Sequence, residues 1–370
     1  HHKKAVQLAA NNPEAWLNFG KSTSNLGRYA DALVYYSKAL DLKSDYAEAA
    51  LNKGATLKEL KRYEEAIACA EHALTINPNL SAAWSNKGVA LKELKRYEEA
   101  IACYDQALSL KLDYAEAWSN KGITLYELKR YDEALAHYDQ AINLKPDYAE
   151  AWSNKGGTLY ELKRYDEAIT HFDQALSLKP DLDWTYGNLA YGKMQICSWP
   201  TLAEDRENIA QKVKAEEKVI TPFMLLAMND DAFLHKKCSE IYVKNRYPLN
   251  LTLGPISKSA KKKRIRIAYF SPDFRNHAVS FLTSELFEIH DRDNFEIFAF
   301  SLYKAPIGDE TNLRLRKVFD RFIDIDNMLD QEIAQLAREL EIDIAIDLAG
   351  PTQYSRTGIF SHRAAPIQVN

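Results

Sequence analysis

The sequence contains four cysteines, and no two of them stand at the spacing of a metal site or of a disulfide framework. Cys69 and Cys103 occupy the same position of an internal repeat, while Cys197 and Cys238 stand alone. A small buried residue is the simplest role for the repeated pair. We therefore expect a reducing, cytoplasmic environment and no bound zinc.

Long apolar runs and a strong charge imbalance are also missing. No run approaches the roughly 18 residues of a membrane span, and no secretion signal is visible. The formal net charge is −4 and the sequence pI is about 6.2. These properties give no support to a membrane partner or to general electrostatic binding of nucleic acid.

Glycine-rich nucleotide motifs are absent as well. No Gly-x-Gly-x-x-Gly follows the first predicted strand, and the chain has no P-loop, so the sequence does not support a nicotinamide or Walker-type site. A length of 370 residues leaves room for two or three domains. We predict a repeat region at 1–190, a helical linker region at 191–260 and an α/β lobe at 261–370.

What the sequence does contain is an internal repeat. Trp84, Trp118 and Trp152 are 34 residues apart (118 − 84 = 34; 152 − 118 = 34), and Trp16 lies two periods before Trp84. A fixed period of this size predicts a solenoid in which each unit packs against its neighbours. Each unit holds two helical patterns, and we expect about five units with a partial unit at each end. The chain begins inside such a unit, and we interpret His1 and His2 as the remnant of a tag.

A glycine recurs in the middle of the first helix of each unit, where it costs about 1 kcal/mol relative to alanine. A cost repeated in every unit predicts that the paired helix crosses closely there and leaves no room for a Cβ atom. A recurring tyrosine marks the turn into the second helix. The two columns are Gly20, Gly54, Gly88, Gly122 and Gly156, and Tyr29, Tyr63, Tyr97, Tyr131 and Tyr165.

An asparagine column keeps the same period, two residues after the tryptophan position. It consists of Asn18, Asn52, Asn86, Asn120, Asn154 and Asn188. Two residues correspond to about 200° around a helix, which places these side chains opposite the packed stripe. A row of carboxamides can hold an extended peptide by its backbone, because each amide both donates and accepts hydrogen bonds. The alternative is that asparagine is simply common at this position of such repeats.

From Ile265 onward, short apolar runs alternate with helical patterns, which predicts a parallel sheet covered on both faces. The predicted strands are 265–270, 295–302, 321–325, 342–348 and 365–369. Ligands bind beyond the carboxyl ends of such strands, so we expect the loops Ser271–His277 and Ala349–Arg356 to matter. His277 could transfer a proton or donate to a phosphate, or it could simply cap the following helix. Asp347 could face a ligand or could form a turn.

The repeats resemble the tetratricopeptide repeat, whose Trp, Gly, Ala, aromatic, Ala and Pro positions appear in order. The segments RIRIAYFSPDFRNHAVSFL and DLAGPTQYSRTGIFSHRAAPIQV are similar to the protein O-linked N-acetylglucosamine transferase family, which includes related O-fucosyltransferases. The resemblance implies an all-α superhelix followed by a Rossmann-like lobe, the N-terminal half of a two-lobe GT-B glycosyltransferase. It implies inverting transfer from UDP-N-acetylglucosamine to Ser or Thr of proteins, without a cofactor or an obligatory metal, and repeats that bind the acceptor.

By the same resemblance, His277 matches the active-site histidine, and Asp273, Asp347, Gly350 and Thr352 face the cleft. Pro351 departs from the family, which often has an aromatic residue or histidine there. The donor-binding lobe of the family lies beyond Asn370, so we expect residues 1–370 alone to be inactive. Two alternatives remain open: a repeat scaffold with a non-catalytic α/β lobe, and a protein O-fucosyltransferase.

Overall fold

The computed structural model describes residues 11–256, 262–350, 352 and 354–369. The start of the chain, including His1 and His2, lies outside these residues, as does Pro351. The protein forms two compact units that meet in the sequence at Leu202 and Ala203. The three-part division at residues 190 and 260 stays a prediction.

Helices in antiparallel pairs build the first unit, and the predicted superhelical repeat is confirmed. The described pairs are α1 (Pro13–Asn25) with α2 (Tyr29–Leu42), α3 (Ala47–Glu59) with α4 (Tyr63–Ile76), α5 (Ser81–Glu93) with α6 (Tyr97–Leu110), α7 (Ala115–Glu127) with α8 (Tyr131–Leu144), and α9 (Ala149–Glu161) with α10 (Tyr165–Leu178); α11 (Thr185–Gln195) follows. Each second helix begins at the predicted tyrosine, so the local sequence fixes these boundaries.

The recurring glycines lie where the paired helix presents a large aromatic side chain. A Cβ atom added to Gly122 would lie 2.7 Å from Cε1 of Tyr138, and one added to Gly156 would lie 2.8 Å from Cδ1 of Phe172. Gly54 is the exception, since its Cβ would meet Cβ of Cys69 at 3.2 Å. The predicted lack of space is confirmed, and an aromatic ring is its usual cause.

Trp84, Trp118 and Trp152 each join a first helix to the turn before it. Nε1 of Trp152 donates to the carbonyl oxygen of Pro146 at 2.9 Å, and Nε1 of Trp118 donates to that of Leu112 at 2.8 Å. The acceptor is a main-chain oxygen, so the turn keeps this bond where leucine replaces the usual proline.

Consecutive first helices contact one another more extensively than consecutive second helices do. In a curved stack the more closely spaced layer lies on the inside of the curve. The first helices therefore form the inner face of the repeat unit, as tetratricopeptide superhelices use them.

The second unit begins with helices and continues as a sheet with helices. Its elements are α12 (Leu202–Lys214, whose first residue belongs to the first unit), α13 (Pro222–Met228), α14 (Ala232–Arg246), β1 (Ile265–Ser271), α15 (Ala278–Glu288), β2 (Phe295–Ser301), α16 (Glu310–Val318), β3 (Arg321–Asp324), α17 (Asp330–Glu339), β4 (Ile344–Asp347), α18 (Gly358–Ser361) and β5 (Ile367–Val369). The strands are parallel in the order β3-β2-β1-β4-β5. The predicted α/β class and all five predicted strands are confirmed.

Both faces of this sheet are covered, as parallel sheets require. On one face Phe270 packs with residues of α17 and α18, including Ile333 and Ile359. On the other, Tyr269 packs with Phe287 of α15 and with residues of α16. With both faces covered, the loops at the carboxyl ends of the strands are the place to look for a ligand site.

The cysteines and the apolar character of the helices can also be compared with the sequence analysis. All four cysteines are free thiols. Within residues 11–256, 262–350, 352 and 354–369, no helix has the length and apolar character that a membrane crossing needs.

Candidate functional site

The loop after β1 brings His277 next to Asp273. His277 is the N-cap of α15, where Nδ1 accepts from the backbone N–H of Val279 at 3.3 Å. The same Nδ1 lies 3.5 Å from Oδ2 of Asp273, whose side chain is largely buried, whereas the imidazole is partly exposed. The helix-capping alternative is therefore observed, and the exposed ring remains available for a second role.

Arg275 is a part of this site that the sequence prediction missed. Its guanidinium lies over the ring of Tyr303, 4.6 Å from the ring centroid, and Nη2 is 3.4 Å from Oδ1 of Asp273. Nε of Arg275 is buried and has no hydrogen-bond partner among the described residues. The ring of Tyr303 in turn contacts that of Tyr354 at 5.1 Å.

These residues could have been found by applying the strand-end rule to β2 as well as to β1 and β4. Tyr303 lies two residues after the end of β2, and Arg275 lies within the SPDFRNH segment that already drew attention to His277. The pairing across two loops needed the tertiary structure, because 28 residues separate the partners (303 − 275 = 28).

Hydrogen bonds hold the loops after β1 and β2 together. Asp309 caps α16 by accepting from the N–H of Asn312 at 2.8 Å, and it also accepts from the N–H of Asn276 at 2.8 Å. Asn312 donates from Nδ2 to the carbonyl oxygen of Phe274 at 2.6 Å. The His277 loop is thus attached to a helix end rather than free in solvent.

The loop after β4 starts beside the loop after β1, because Asp347 is the register partner of Phe270. Oδ1 of Asp347 accepts from the N–H of Ala349 at 2.9 Å, and burial raises the pKa of this carboxyl. Asp347 therefore forms a turn, which is one of the two roles that the sequence left open for it. Gly350 has a φ of +56°, a conformation that favours glycine, and exposed Thr352 donates from Oγ1 to the carbonyl oxygen of Ala349 at 2.8 Å.

The carboxyl edge of the sheet thus carries an imidazole, a carboxylate and a guanidinium in one loop cluster. The roles of His277 and Asp273 toward a ligand stay predictions. Among the described residues no group of three or more His, Cys, Asp or Glu side chains is placed to hold a metal ion.

The asparagine row lies on the first helices, as predicted. Asn18 is exposed, and Asn52, Asn86, Asn120, Asn154 and Asn188 are partly exposed. Some carboxamides already have partners: Asn52 donates from Nδ2 to the carbonyl oxygen of Glu48 at 2.8 Å, and Oδ1 of Asn86 accepts from Nζ of Lys58 at 2.7 Å. Peptide binding by the row stays a prediction.

Comparison with protein families finds two known domains in the chain. Residues 238–370 match the model of glycosyl transferase family 41. Residues 13–46, 45–113, 79–147 and 113–181 match models of the tetratricopeptide repeat.

Proteins similar in sequence to this chain are described as peptide N-acetylglucosaminyltransferases. The chain is 30% identical over 194 residues to a probable UDP-N-acetylglucosamine–peptide N-acetylglucosaminyltransferase, SEC, of Arabidopsis thaliana. This alignment covers 47% of this chain and 19% of that protein. The chain is also 36% identical over 110 residues to the UDP-N-acetylglucosamine–peptide N-acetylglucosaminyltransferase of Caenorhabditis elegans, covering 29% and 9%. The chain thus spans a small part of the length of these relatives.

Among solved structures, an O-GlcNAc transferase mutant of Thermobaculum terrenum is 23% identical, with a TM-score of 0.42. The alignment covers 78% of this chain and 50% of that one.

Proposed function

We propose that this chain, which carries tetratricopeptide repeats followed by a glycosyl transferase family 41 domain, is the acceptor-binding and N-terminal catalytic part of a protein O-GlcNAc transferase. The complete enzyme transfers N-acetylglucosamine from UDP-N-acetylglucosamine to Ser or Thr of proteins. The observation that carries the proposal is the cluster of His277, Asp273 and Arg275 at the carboxyl edge of the sheet, inside the matched segment. Parallel sheets bind their ligands at this edge.

His277 is proposed to handle the proton of the acceptor hydroxyl or a hydrogen bond to the donor. When Nδ1 accepts from the N–H of Val279, Nε2 carries the ring proton and can donate to an oxygen of the donor. When Nδ1 is protonated and faces Asp273, the carboxylate orients the ring, and Nε2 can accept a proton. Both arrangements leave Nε2 as the functional atom.

Arg275 supplies positive charge next to the imidazole. Stacking on Tyr303 holds the guanidinium plane, and the partnerless Nε–H can donate to an anionic oxygen. When the sugar passes to the acceptor oxygen, its bond to the phosphate breaks and a nucleoside diphosphate leaves, so a fixed guanidinium near the reacting atoms can stabilise the developing negative charge. We therefore assign Arg275 to the donor phosphates.

The asparagine row is the proposed acceptor-binding surface. It lies on the inner face of the repeat unit, and its members recur at one spacing, which suits the regular backbone of an extended peptide. Recognition through the backbone would let one enzyme accept many sequences.

The catalytic proposal is tested in the full-length protein by measuring transfer from UDP-N-acetylglucosamine to a protein acceptor. His277→Ala should lower kcat by about 10²–10⁴-fold with acceptor affinity unchanged. His290→Gln is the control, because His290 lies beyond the other end of α15 and bonds to the hydroxyl of Tyr269. Normal turnover by His277→Ala would remove His277 from the catalytic role, whereas no transfer by the wild-type full-length protein would favour a repeat scaffold with a non-catalytic lobe.

The donor is tested by isothermal titration of the full-length protein with UDP-N-acetylglucosamine and with GDP-fucose. Binding of the first alone supports the proposal, whereas binding of GDP-fucose alone assigns an O-fucosyltransferase. Arg275→Gln should weaken binding of whichever of the two donors the wild type binds. Binding as tight as in the wild type would show that Arg275 does not hold the donor phosphates.

The acceptor surface is tested by changing Asn86, Asn120 and Asn154 to Ala together. Affinity for acceptor peptides should fall while the thermal unfolding temperature stays close to wild type, because the side chains are partly exposed. Unchanged affinity would show that the row is a property of the repeat alone.

A further inference from the structure

One helix end holds the main chain on both sides of Arg275. Nδ2 of Asn312, in the first turn of α16, donates to the carbonyl oxygen of Phe274 at 2.6 Å. Oδ2 of Asp309, the N-cap of the same helix, accepts from the N–H of Asn276 at 2.8 Å. Phe274 and Asn276 are the chain neighbours of Arg275. We call Asp309 and Asn312 the α16 clamp.

The α16 clamp sets the direction in which the Arg275 side chain leaves the loop. The carbonyl group of Phe274 belongs to the peptide unit before the Cα atom of Arg275, and the N–H of Asn276 belongs to the unit after it. Because peptide units are planar, fixing both of them fixes φ and ψ of the residue between them. The clamp therefore orients the Cα–Cβ bond of Arg275 without touching its side chain.

Buried contacts make the α16 clamp rigid. Asn312 is buried, and its Oδ1 accepts from Nε of Arg316 at 2.8 Å. Nη2 of Arg316 in turn donates to both carboxylate oxygens of Asp324, at 2.6 and 2.8 Å. The buried ring of Phe274 packs against that of Phe319, with 5.4 Å between the centroids. Breaking a buried hydrogen bond leaves polar groups unsatisfied, so these bonds persist.

The segment that supplies the α16 clamp also holds the side chain of Arg275. Tyr303, which lies between β2 and α16, places its ring 4.6 Å from the guanidinium. The carbonyl oxygen of Tyr303 accepts from Oγ of Ser301 at 3.0 Å, which ties this residue to the end of β2. Main chain and side chain of Arg275 are thus both fixed by residues 301–312, and Nε is left as a buried donor without a partner among the described residues. A donor fixed in advance stabilises charge without a reorganisation cost.

We propose that Asp309 and Asn312 are positioning residues that orient Arg275 toward the phosphates of the donor. The inference rests on the proposed function, in which Arg275 binds those phosphates. Neither positioning residue has to touch the donor, because both act through the main chain of the loop after β1. Their effect on donor binding should therefore require the Arg275 side chain.

The two carboxylate oxygens of Asp309 have separate partners, which allows a selective variant. Oδ1 accepts from the N–H of Asn312 and caps α16, whereas Oδ2 accepts from the N–H of Asn276. Asparagine caps helices about as well as aspartate. It has only one side-chain oxygen, so in Asp309→Asn an NH₂ group faces the N–H of Asn276. This variant should keep the cap and release the peptide unit after Arg275.

Donor affinity is measured by isothermal titration of the full-length protein with UDP-N-acetylglucosamine. Asp309→Asn should weaken binding by about tenfold, although it removes a negative charge near an anionic ligand. Exchange of the Asn276 amide hydrogen should become faster in the same variant. Asn312→Leu, which is similar in volume, should also weaken binding, because it releases the carbonyl group of Phe274.

The decisive measurement is a double-mutant cycle with Arg275→Gln. In the Arg275→Gln protein, adding Asp309→Asn should change the affinity by less than about twofold. Equal weakening in both backgrounds would overturn the inference, since Asp309 would then act without Arg275. Asp231→Asn is the matched control and should leave the affinity unchanged, because Asp231 caps α14 in the same unit through the N–H groups of Phe233 and Leu234.

The outcomes separate this inference from the proposed function. If Arg275→Gln weakens donor binding but Asp309→Asn and Asn312→Leu do not, only the positioning role fails. If Arg275→Gln binds the donor as tightly as the wild type, the assignment of Arg275 to the phosphates fails, and the positioning role fails with it. If the wild type does not bind UDP-N-acetylglucosamine, the proposed function fails as well.

Discussion

The two units of this protein differ in how far apart in the sequence their packed residues lie. In the repeat unit one set of contacts recurs, and a ring such as Tyr138 packs over a glycine 16 residues earlier in the chain (138 − 122 = 16). In the α/β unit the central residue Phe270 contacts Phe300 and Phe360, which come from distant segments. The first unit is held by short-range contacts and the second by long-range ones.

This difference predicts how each unit responds to damage. A solenoid is stabilised by each repeat and its neighbour interfaces, so a defect stays local. The α/β unit has its core shared among all strands, so a single defect weakens the whole unit. All six tryptophans belong to the first unit, which gives that unit its own spectroscopic probe.

The largest expected effect comes from Phe270→Ala. This fully buried ring stacks on Phe300 at 4.5 Å, and its removal leaves a cavity that should lower the stability of the second unit by about 3–5 kcal/mol. Hydrogen exchange should rise across all five strands, while the tryptophan fluorescence transition of the repeats stays at its wild-type position. A joint shift of both signals would show that the two units unfold together.

A smaller and local effect is expected for Gly122→Val. The new side chain would collide with Tyr138, and overpacking of this kind costs about 1–3 kcal/mol. Exchange should increase in α7, α8 and the adjoining helices only. Gly157→Val serves as its control, since no described atom lies within 4 Å of that Cβ position; equal destabilisation by both variants would contradict the packing explanation.

A pH effect is expected at Asp347. Burial raises the pKa of this carboxyl, so the folded protein keeps a proton that the unfolded chain has lost. The stability of the second unit should therefore fall as pH rises from about 4 through the raised pKa. Asp347→Asn should flatten this slope in thermal unfolding monitored by near-ultraviolet circular dichroism, and an unchanged slope would show that the raised pKa of Asp347 is not its source.

The smallest effect concerns two histidines of the repeats. His137 and His171 lie against Trp118 and Trp152, and burial lowers the pKa of both. Below about pH 6.5 the unfolded chain gains a proton that the folded repeats resist, so repeat stability should decrease on acidification.

Replacing both histidines with Gln should reduce the acid shift of the tryptophan transition. The exposed His72 provides the comparison, and His72→Gln should leave the acid shift as it is. An equal change from both replacements would mean that the acid sensitivity does not come from the partly buried rings of His137 and His171.

Most of the fold could be predicted from the sequence because the helical repeat and the alternation of strands and helices are both local patterns. The starts of the second helices at Tyr97 and Tyr131, and the strand before Ser271, follow from periodicity and turn residues. The site was predicted less completely. His277 could be found from its place after a strand, whereas the stacking of Arg275 on Tyr303 joins two loops that no local pattern connects.

The sequence by itself determined the repeat, its asparagine row, the alternation of strands and helices and the loops that end them, since each depends on neighbours within a few turns of chain. Only the tertiary structure decided the strand order β3-β2-β1-β4-β5, the turn-forming role of Asp347 and the open space over Gly157. These features depend on which distant atoms come into contact, and the free energy of such contacts is set by packing rather than by local periodicity.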